Sequence, residues 1–266
     1  MALLKVGRFT CAVRNAFSKG LSAIVTGGAS GLGLATAKKL LGSGCNVLVC
    51  DVQKSPGFSE IENDCVYCQT DVASETDASN AVQMAKSKFS KLNVLVNCAG
   101  LALACKTYNA KRKQPHPLDT FEKIMRVNTI GTFNMIRMSV VAMAENEPDH
   151  DNLRGVIINT ASVAAFEGQV GQVAYAASKG AVVSMTLPIA RDLAREGIRV
   201  MAIAPGFFET PLLAGLPSYE HLVRHVVSPR RLGKPNEFAL LVESIIQNPM
   251  LNGEVIRLDA GARMPP

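Results

Sequence analysis

Two residues four positions apart, Tyr175 and Lys179, could carry acid–base chemistry. Both fall in a segment predicted to be helical, 175–196, where residues at this spacing share a face. The pKa of an ordinary tyrosine is about 10, so only about one phenol in a thousand is ionised at pH 7. A neighbouring ammonium favours the charged form and would lower that pKa. The pair predicts a base that takes a proton from an alcohol or returns one to a ketone, although such pairs also arise by chance.

Two further polar residues support this prediction of acid–base chemistry. Ser162 directly follows a strand predicted over 155–160, where its hydroxyl could hold a substrate oxygen; a turn or capping serine is the alternative. Asn128 lies inside the segment 121–144, and an asparagine in the middle of a helix is unfavourable without a partner. It could hold a water that links Lys179 to solvent. We therefore predict a catalytic group of four residues.

A glycine-rich turn indicates where a nucleotide would bind. Glycines 27, 28, 31 and 33 join a strand predicted over 21–26 to a helix predicted over 32–41. Absent side chains let a backbone turn tightly and approach a pyrophosphate, and a helix N-terminus attracts phosphates. The spacing, Gly-x3-Gly-x-Gly, differs from the usual dinucleotide fingerprint, so a turn that serves only packing remains an alternative.

Asp51 ends the second predicted strand, 18 residues beyond Gly33, where a carboxylate can accept hydrogen bonds from ribose hydroxyls. It would also repel a 2′-phosphate, and neither Ser30 nor Val52 offers a cation to that group. These residues predict NAD rather than NADP. Asp71 follows the third strand and is either an adenine contact or a turn residue. The small residues around Gly100, in Asn-Cys-Ala-Gly, would let a cofactor cross the sheet edge.

Strands and helices alternate along the whole chain, which predicts a single α/β domain with a doubly wound parallel sheet of the Rossmann type and helices on both faces. We place this domain at 19–266 and a basic leader at 1–18. The predicted strands are 21–26, 46–50, 65–69, 94–97, 155–160, 199–204 and 254–258, and the predicted helices are 32–41, 75–89, 121–144, 175–196 and 237–247.

Composition narrows the class of protein. Hydrophobic residues make up 48% of the 266, so there is material for a core, and seven scattered cysteines predict reduced thiols rather than a disulfide framework. No uncharged apolar run of about 18 residues appears, so we predict no membrane span. We also predict no metal site, because Cys65 and Cys68 lack companion ligands and the pair His221 and His225 fits a substrate lid better.

The leader carries four basic residues, Lys5, Arg8, Arg14 and Lys19, before the first acidic residue. A basic, acid-free segment of this kind is typical of mitochondrial targeting, and an ordinary basic tail is the alternative. We predict a mitochondrial matrix location. The net charge of +6 is otherwise compatible with many partners.

Taken together, these motifs resemble the short-chain dehydrogenase/reductase family, with Cys98 where that family usually has a second asparagine. The match is closest to a mitochondrial subgroup, and it implies an NAD-using homotetramer acting on short-chain 3-hydroxyacyl-CoAs and hydroxysteroids. It also implies that Gln169, Gln172 and Ser162 line the substrate cleft. Relatives in the subgroup take part in mitochondrial tRNA processing, which gives a scaffold role as the alternative function. The cofactor contacts that the glycine turn and the resemblance together predict are Gly27, Ser30, Gly31, Leu32, Gly33, Asp51, Asp71, Val72, Cys98, Gly100, Tyr175, Lys179, Phe208 and Thr210.

Four cations, Lys106, Lys111, Arg112 and Lys113, lie in a polar segment over 101–119. Charges of this kind usually belong to a solvated loop. Our hypothesis is that they attract the phosphates of coenzyme A.

Overall fold

The computed structural model describes residues 20–213 and 219–264, and at 219 and 221 the backbone alone. The predicted leader therefore lies outside the described residues. The strands are β1 Ser22–Thr26, β2 Asn46–Asp51, β3 Val66–Gln69, β4 Val94–Asn97, β5 Tyr108–Asn109, β6 Gln114–Pro115, β7 Gly155–Thr160, β8 Ile198–Pro205 and β9 Val255–Leu258. The helices are α1 Gly31–Gly42, α2 Glu75–Phe89, α3 Leu118–Met125, α4 Thr132–Ala144, α5 Val173–Asp192, α6 Tyr219–Val223 and α7 Pro235–Gln247.

Seven of the strands form one parallel sheet in the order β3-β2-β1-β4-β7-β8-β9. The four central strands are buried along nearly their whole length and consist largely of Val, Ile, Leu and Ala. Such continuous apolar strands suit a sheet covered on both faces. The predicted fold class is confirmed.

Each face of the sheet has its own apolar layer. Helices α1 and α7 contribute Leu40, Phe238 and Val242 to one layer, and α2, α4 and α5 contribute residues such as Met135 and Met143 to the other. The strand order reverses between β1 and β4, so the turns after these strands diverge and leave a crevice at their carboxyl ends. Open α/β sheets bind their ligands in this crevice.

Four predicted segments differ in detail. The helix predicted over 121–144 consists of α3 and α4 joined by a π-helical turn, Arg126–Gly131, which contains Asn128. The polar segment 101–119 contains an antiparallel hairpin of β5 and β6 rather than an unstructured loop. The long helix predicted to reach 196 ends at Asp192 and is followed by a 3-10 turn, Ala194–Glu196. Helix α6 ends at Val223, so His225 lies outside it.

Helix α5 is the one helix in the described part of the chain that has the length and composition to cross a membrane. Its residues Ser178, Lys179 and Thr186 are buried in the protein, and the helix packs against β8. A core helix of a folded domain passes the same test of length and composition.

Candidate active site

Tyr175 and Lys179 lie on the first two turns of α5, and Ser162 follows β7. The Ser162 side chain lies within interaction range of the Tyr175 phenol and favours its charged form. The Ser162 hydroxyl also accepts a bond from the backbone N–H of Ala164 at 3.1 Å, which fixes its position. Lys179 Nζ lies 5.9 Å from the centre of the Tyr175 ring. The structure thus brings three predicted catalytic residues together at the carboxyl edge of the sheet.

Lys179 is a buried cation, 5% exposed. Its Nζ donates to the backbone carbonyl of Thr160 at 2.7 Å. Among the described residues no carboxylate lies within ion-pair distance of it. Because burial disfavours the charged form, the pKa of Lys179 falls to about 8. That value still leaves the amine mostly protonated at pH 7.

Burial raises the pKa of Tyr175, and the Ser162 side chain acts in the opposite direction but more weakly. The prediction that Lys179 lowers this pKa is wrong for the arrangement described here. The physical reason is that desolvation of the phenolate is the dominant effect, while the ammonium points to the Thr160 carbonyl. The hydroxyl of Ser162 is the group that favours the phenolate.

Asn128 is fully buried in the π-helical turn and binds the backbone of Leu101 twice. Its Oδ1 accepts from the Leu101 N–H, and its Nδ2 donates to the Leu101 carbonyl, each at 2.9 Å. Nδ2 also donates to Ser178 Oγ at 3.0 Å. A Cβ on Gly100 would lie 3.2 Å from Asn128 Oδ1 and 3.6 Å from Lys179 Nζ. Glycine therefore keeps open the space between these two groups, and the water relay stays a prediction.

The glycine-rich turn is built for close backbone contact. A Cβ on Gly33 would lie 2.2 Å from the Gly27 carbonyl oxygen, and a Cβ on Gly27, at φ +60°, would lie 2.7 Å from the backbone nitrogen of Ala99. Ser30 precedes α1 in extended geometry, and its side chain makes no capping bond. A cradle without side chains at a helix N-terminus fits the pyrophosphate of a dinucleotide.

Asp51 lies beside this turn at the end of β2. Its Oδ2 accepts a hydrogen bond from the Ala29 N–H at 3.0 Å, and its backbone carbonyl accepts from the Tyr67 hydroxyl at 3.0 Å. One carboxylate oxygen therefore anchors the glycine turn. This structural role was not expected from the sequence, and the ribose contact stays a prediction.

Asp71 and Val72 occupy the turn after β3. The Asp71 carboxylate accepts from the Ala73 N–H at 2.9 Å, as a turn residue does. The Val72 side chain is buried, and a Cβ on Gly131 would lie 2.5 Å from it. A cofactor contact at Val72 would accordingly involve its backbone.

The remaining predicted cofactor residues surround the glycine turn. Burial raises the pKa of the Cys98 thiol to about 11, so it stays protonated, and it accepts a bond from Thr160 Oγ1 at 3.5 Å. The ring of Phe208 packs on Gly233, and Thr210 lies against Gly31. The segment after β8 therefore passes directly over the turn that would hold the phosphates.

Gln169 and Gln172 form a small turn before α5. The amide oxygen of Gln172 accepts from the Gln169 N–H at 3.1 Å, and the Gln172 N–H donates to the Gln169 carbonyl at 3.0 Å. The adjoining Gly171 carbonyl accepts from the Cys105 N–H at 2.8 Å. This bond ties the turn to the segment that leads into the β5–β6 hairpin, so the two lie side by side.

Sequence reasoning missed the residues that act through their backbone. The Thr160 carbonyl positions Lys179 and the Leu101 amide positions Asn128, yet no side-chain pattern marks either. Asn97, the first residue of the predicted Asn-Cys-Ala-Gly motif, links β4 to β7, since its Nδ2 donates to Asn159 Oδ1 at 2.9 Å. In the described residues no group of three or more metal-ligating side chains is assembled.

Comparison with known proteins agrees with this geometry. The profile described as short chain dehydrogenase matches residues 22–220. The chain is 57% identical to human 3-hydroxyacyl-CoA dehydrogenase type-2 over 93% of its length and 97% of the relative's, and 52% identical to the Drosophila melanogaster protein of that name over 96% and 100%. The crystal structure of 3-hydroxyacyl-CoA dehydrogenase type-2 from Mycobacterium avium superposes with a TM-score of 0.87 at 36% identity, covering 93% of this chain and 97% of that one.

This protein belongs to the short-chain dehydrogenase family. It is an oxidoreductase that uses a nicotinamide cofactor. The relatives named above are 3-hydroxyacyl-CoA dehydrogenases of type 2.

Proposed function

We propose that the protein interconverts short-chain 3-hydroxyacyl-CoAs and their 3-ketoacyl forms with NAD as cofactor. The observation that carries this proposal is the placement of the Tyr175 phenol next to Ser162 and beside a buried Lys179, near a glycine cradle. The acyl-CoA substrate is supported by the names of relatives that are 52% and 57% identical over nearly the whole chain.

The residues of this chain divide the work on the substrate. The Ser162 hydroxyl, held by the Ala164 N–H, hydrogen-bonds the substrate oxygen. The Tyr175 hydroxyl takes the proton from the alcohol, or returns it to the ketone, at the same oxygen. Lys179, mostly protonated at neutral pH and held beside the phenol ring by the Thr160 carbonyl, hydrogen-bonds the ribose of the nicotinamide on this proposal. When bound, the nicotinamide supplies the hydride acceptor or donor.

Cofactor choice is proposed to rest on Asp51. A hydrogen bond from the Ala29 N–H holds its carboxylate beside the glycine turn. At this position a ribose 2′-hydroxyl can donate to the carboxylate, and a 2′-phosphate would be repelled by its negative charge. Wild-type protein is expected to bind NAD more tightly than NADP in isothermal titration calorimetry. Tighter binding of NADP would contradict this assignment.

The β5–β6 hairpin is proposed to attract the phosphates of coenzyme A. Lys106, Lys111, Arg112 and Lys113 are all exposed. The bond from Cys105 to Gly171 ties the segment before the hairpin to the turn that carries Gln169 and Gln172, which supports a position near the substrate. The positive charge of the hairpin and its position favour a substrate that carries negative charge on a long polar group, as coenzyme A does.

Removing three hairpin charges, in Lys111→Ala, Arg112→Ala and Lys113→Ala combined, should raise KM for acetoacetyl-CoA and spare KM for a hydroxysteroid. The matched control removes three exposed charges at the opposite, amino-terminal edge of the sheet, at Lys88, Lys91 and Arg195. Each electrostatic contact is expected to contribute up to about 1 kcal/mol, or about fivefold in KM. Equal changes for both substrates would refute the hypothesis.

We also propose a homotetramer located in the mitochondrial matrix. Exposed apolar side chains on the π-helical turn, α4 and α5, such as Ile130, Phe133, Val141 and Leu187, support self-association. Light scattering would report the assembled mass, and a fluorescent fusion of residues 1–18 would report the location. A role in tRNA processing stays a prediction, for which no contact described above argues.

A further inference from the structure

The segment 52–55 borders the side of the site proposed for the adenosine ribose. It leaves Asp51 and returns to the glycine turn, where the Ser55 hydroxyl donates to the Ala29 carbonyl. The Ala29 N–H donates in turn to Asp51 Oδ2. The backbone of Ala29 is therefore bound by Asp51, just before the segment, and by Ser55, at its end. Lys54 is the only cation in the segment.

The ammonium of Lys54 is engaged on three sides. Its Nζ donates to Glu62 Oε1 at 2.5 Å. The same atom lies 5.0 Å from the centre of the Tyr67 ring and 5.7 Å from that of Phe58. These rings pack on each other with centres 5.3 Å apart. The cation is thus neutralised by a carboxylate and held over an aromatic pair.

A cation close to the end of β2 can affect whether the protein prefers NAD or NADP. A 2′-phosphate on the ribose would stand at the end of β2, next to Asp51, and would seek a positive partner. Lysine carries its charge on a flexible four-carbon stem and binds phosphate as a point charge. Lys54 follows Asp51 by three residues, and Glu62 keeps its charge occupied elsewhere.

We propose that Glu62 determines cofactor selectivity by withholding Lys54 from a ribose 2′-phosphate. Discrimination between two ligands can come from denying contacts to the wrong one as well as from favouring the right one. On this proposal Asp51 repels the extra phosphate, and Glu62 holds back the one cation of the segment 52–55. The inference rests on the proposed function, since it concerns the dinucleotide site described above.

A double-mutant cycle in the Asp51→Ser protein tests the proposal. NADP and NAD dissociation constants are measured by isothermal titration calorimetry in this background alone, with Glu62→Gln, with Lys54→Met, and with both. We expect Glu62→Gln to tighten NADP binding about fivefold, as an exposed charge contact of about 1 kcal/mol would. The gain should vanish when Lys54→Met is also present, and NAD binding should be unchanged.

A matched control is Glu60→Gln, which removes the same charge from a neighbouring ion pair with Lys38, 2.7 Å long. It should leave NADP binding as it was. The proposal is overturned if Glu62→Gln leaves NADP binding unchanged or if Glu60→Gln tightens it equally. It is also overturned if the gain persists when Lys54→Met is present. Weaker NAD binding with Glu62→Gln would show that the ion pair only holds the loop, and this too would overturn the proposal. Failure of the proposed function looks different, because wild-type protein would then bind neither dinucleotide.

Discussion

The proposed chemistry needs a buried ammonium at Lys179, and burying this charge should lower the stability of the fold. The lowering of its pKa from 10.5 to about 8 corresponds to a destabilisation of about 3 kcal/mol at pH 7, at 1.36 kcal/mol per pH unit. Replacing it by methionine, in Lys179→Met, removes that cost but also loses the bond to Thr160, worth about 1 kcal/mol. We therefore expect the variant to be inactive and more stable by about 2 kcal/mol at pH 7.

The pH dependence gives this prediction its sign. Because the pKa of Lys179 is lower in the folded protein, the unfolded chain binds more protons between about pH 8 and pH 10.5. Wild-type stability then rises with pH through this window from this group alone. The destabilisation is fully present below pH 8 and disappears near pH 10.5. The advantage of Lys179→Met should therefore shrink toward zero as the pH approaches 10.

The measurement is urea unfolding followed by far-ultraviolet circular dichroism, at pH 7.0 and 9.5 and at one protein concentration. Lys123→Met on α3 is the control, since this lysine is exposed and its loss should change stability by no more than about 0.5 kcal/mol. If Lys179→Met is less stable than wild type at pH 7, or if its advantage does not change with pH, the reasoning about the buried charge is refuted.

Two further substitutions test other parts of the account. Gly33→Ala should abolish dinucleotide binding in calorimetry and lower the unfolding temperature, because its Cβ would lie 2.2 Å from the Gly27 carbonyl oxygen; Gly42→Ala, with open space around it, should bind normally. Arg199→Met should lower the free energy of unfolding by about 3 kcal/mol, because the loss of three charge-assisted bonds, to the carbonyls of Ile245, Ile246 and Leu251, outweighs the relief of burying the guanidinium. KM should not change for Arg199→Met, and a raised KM would show that the site depends on this contact.

The sheet was predictable because its signals are local. The strands Val94–Asn97 and Gly155–Thr160 coincide with the predicted ones, since both are apolar runs bounded by turn residues. Helix α2 also coincides with its prediction, because Ser74 caps it through the Asp77 N–H. Alternation of such elements was enough to give the doubly wound arrangement.

The parts that were missed depend on contacts distant in sequence. The π-helical turn carries Asn128, which binds the Leu101 backbone 27 residues away. The partner of Lys179 is a carbonyl of the strand end, which has no residue signature. The direction of the Tyr175 pKa could not be read from spacing, because burial of the phenol in the folded site is its largest cause.

The central claim is that the Tyr175 hydroxyl transfers the proton at a site assembled beside a dinucleotide cradle. Its most direct test is Tyr175→Phe, assayed by NADH absorbance with acetoacetyl-CoA and by calorimetry with NAD. We predict that kcat falls by about a thousandfold or more, while NAD binds as it does to wild type. A variant that still turns over at a rate close to that of wild type would contradict the account.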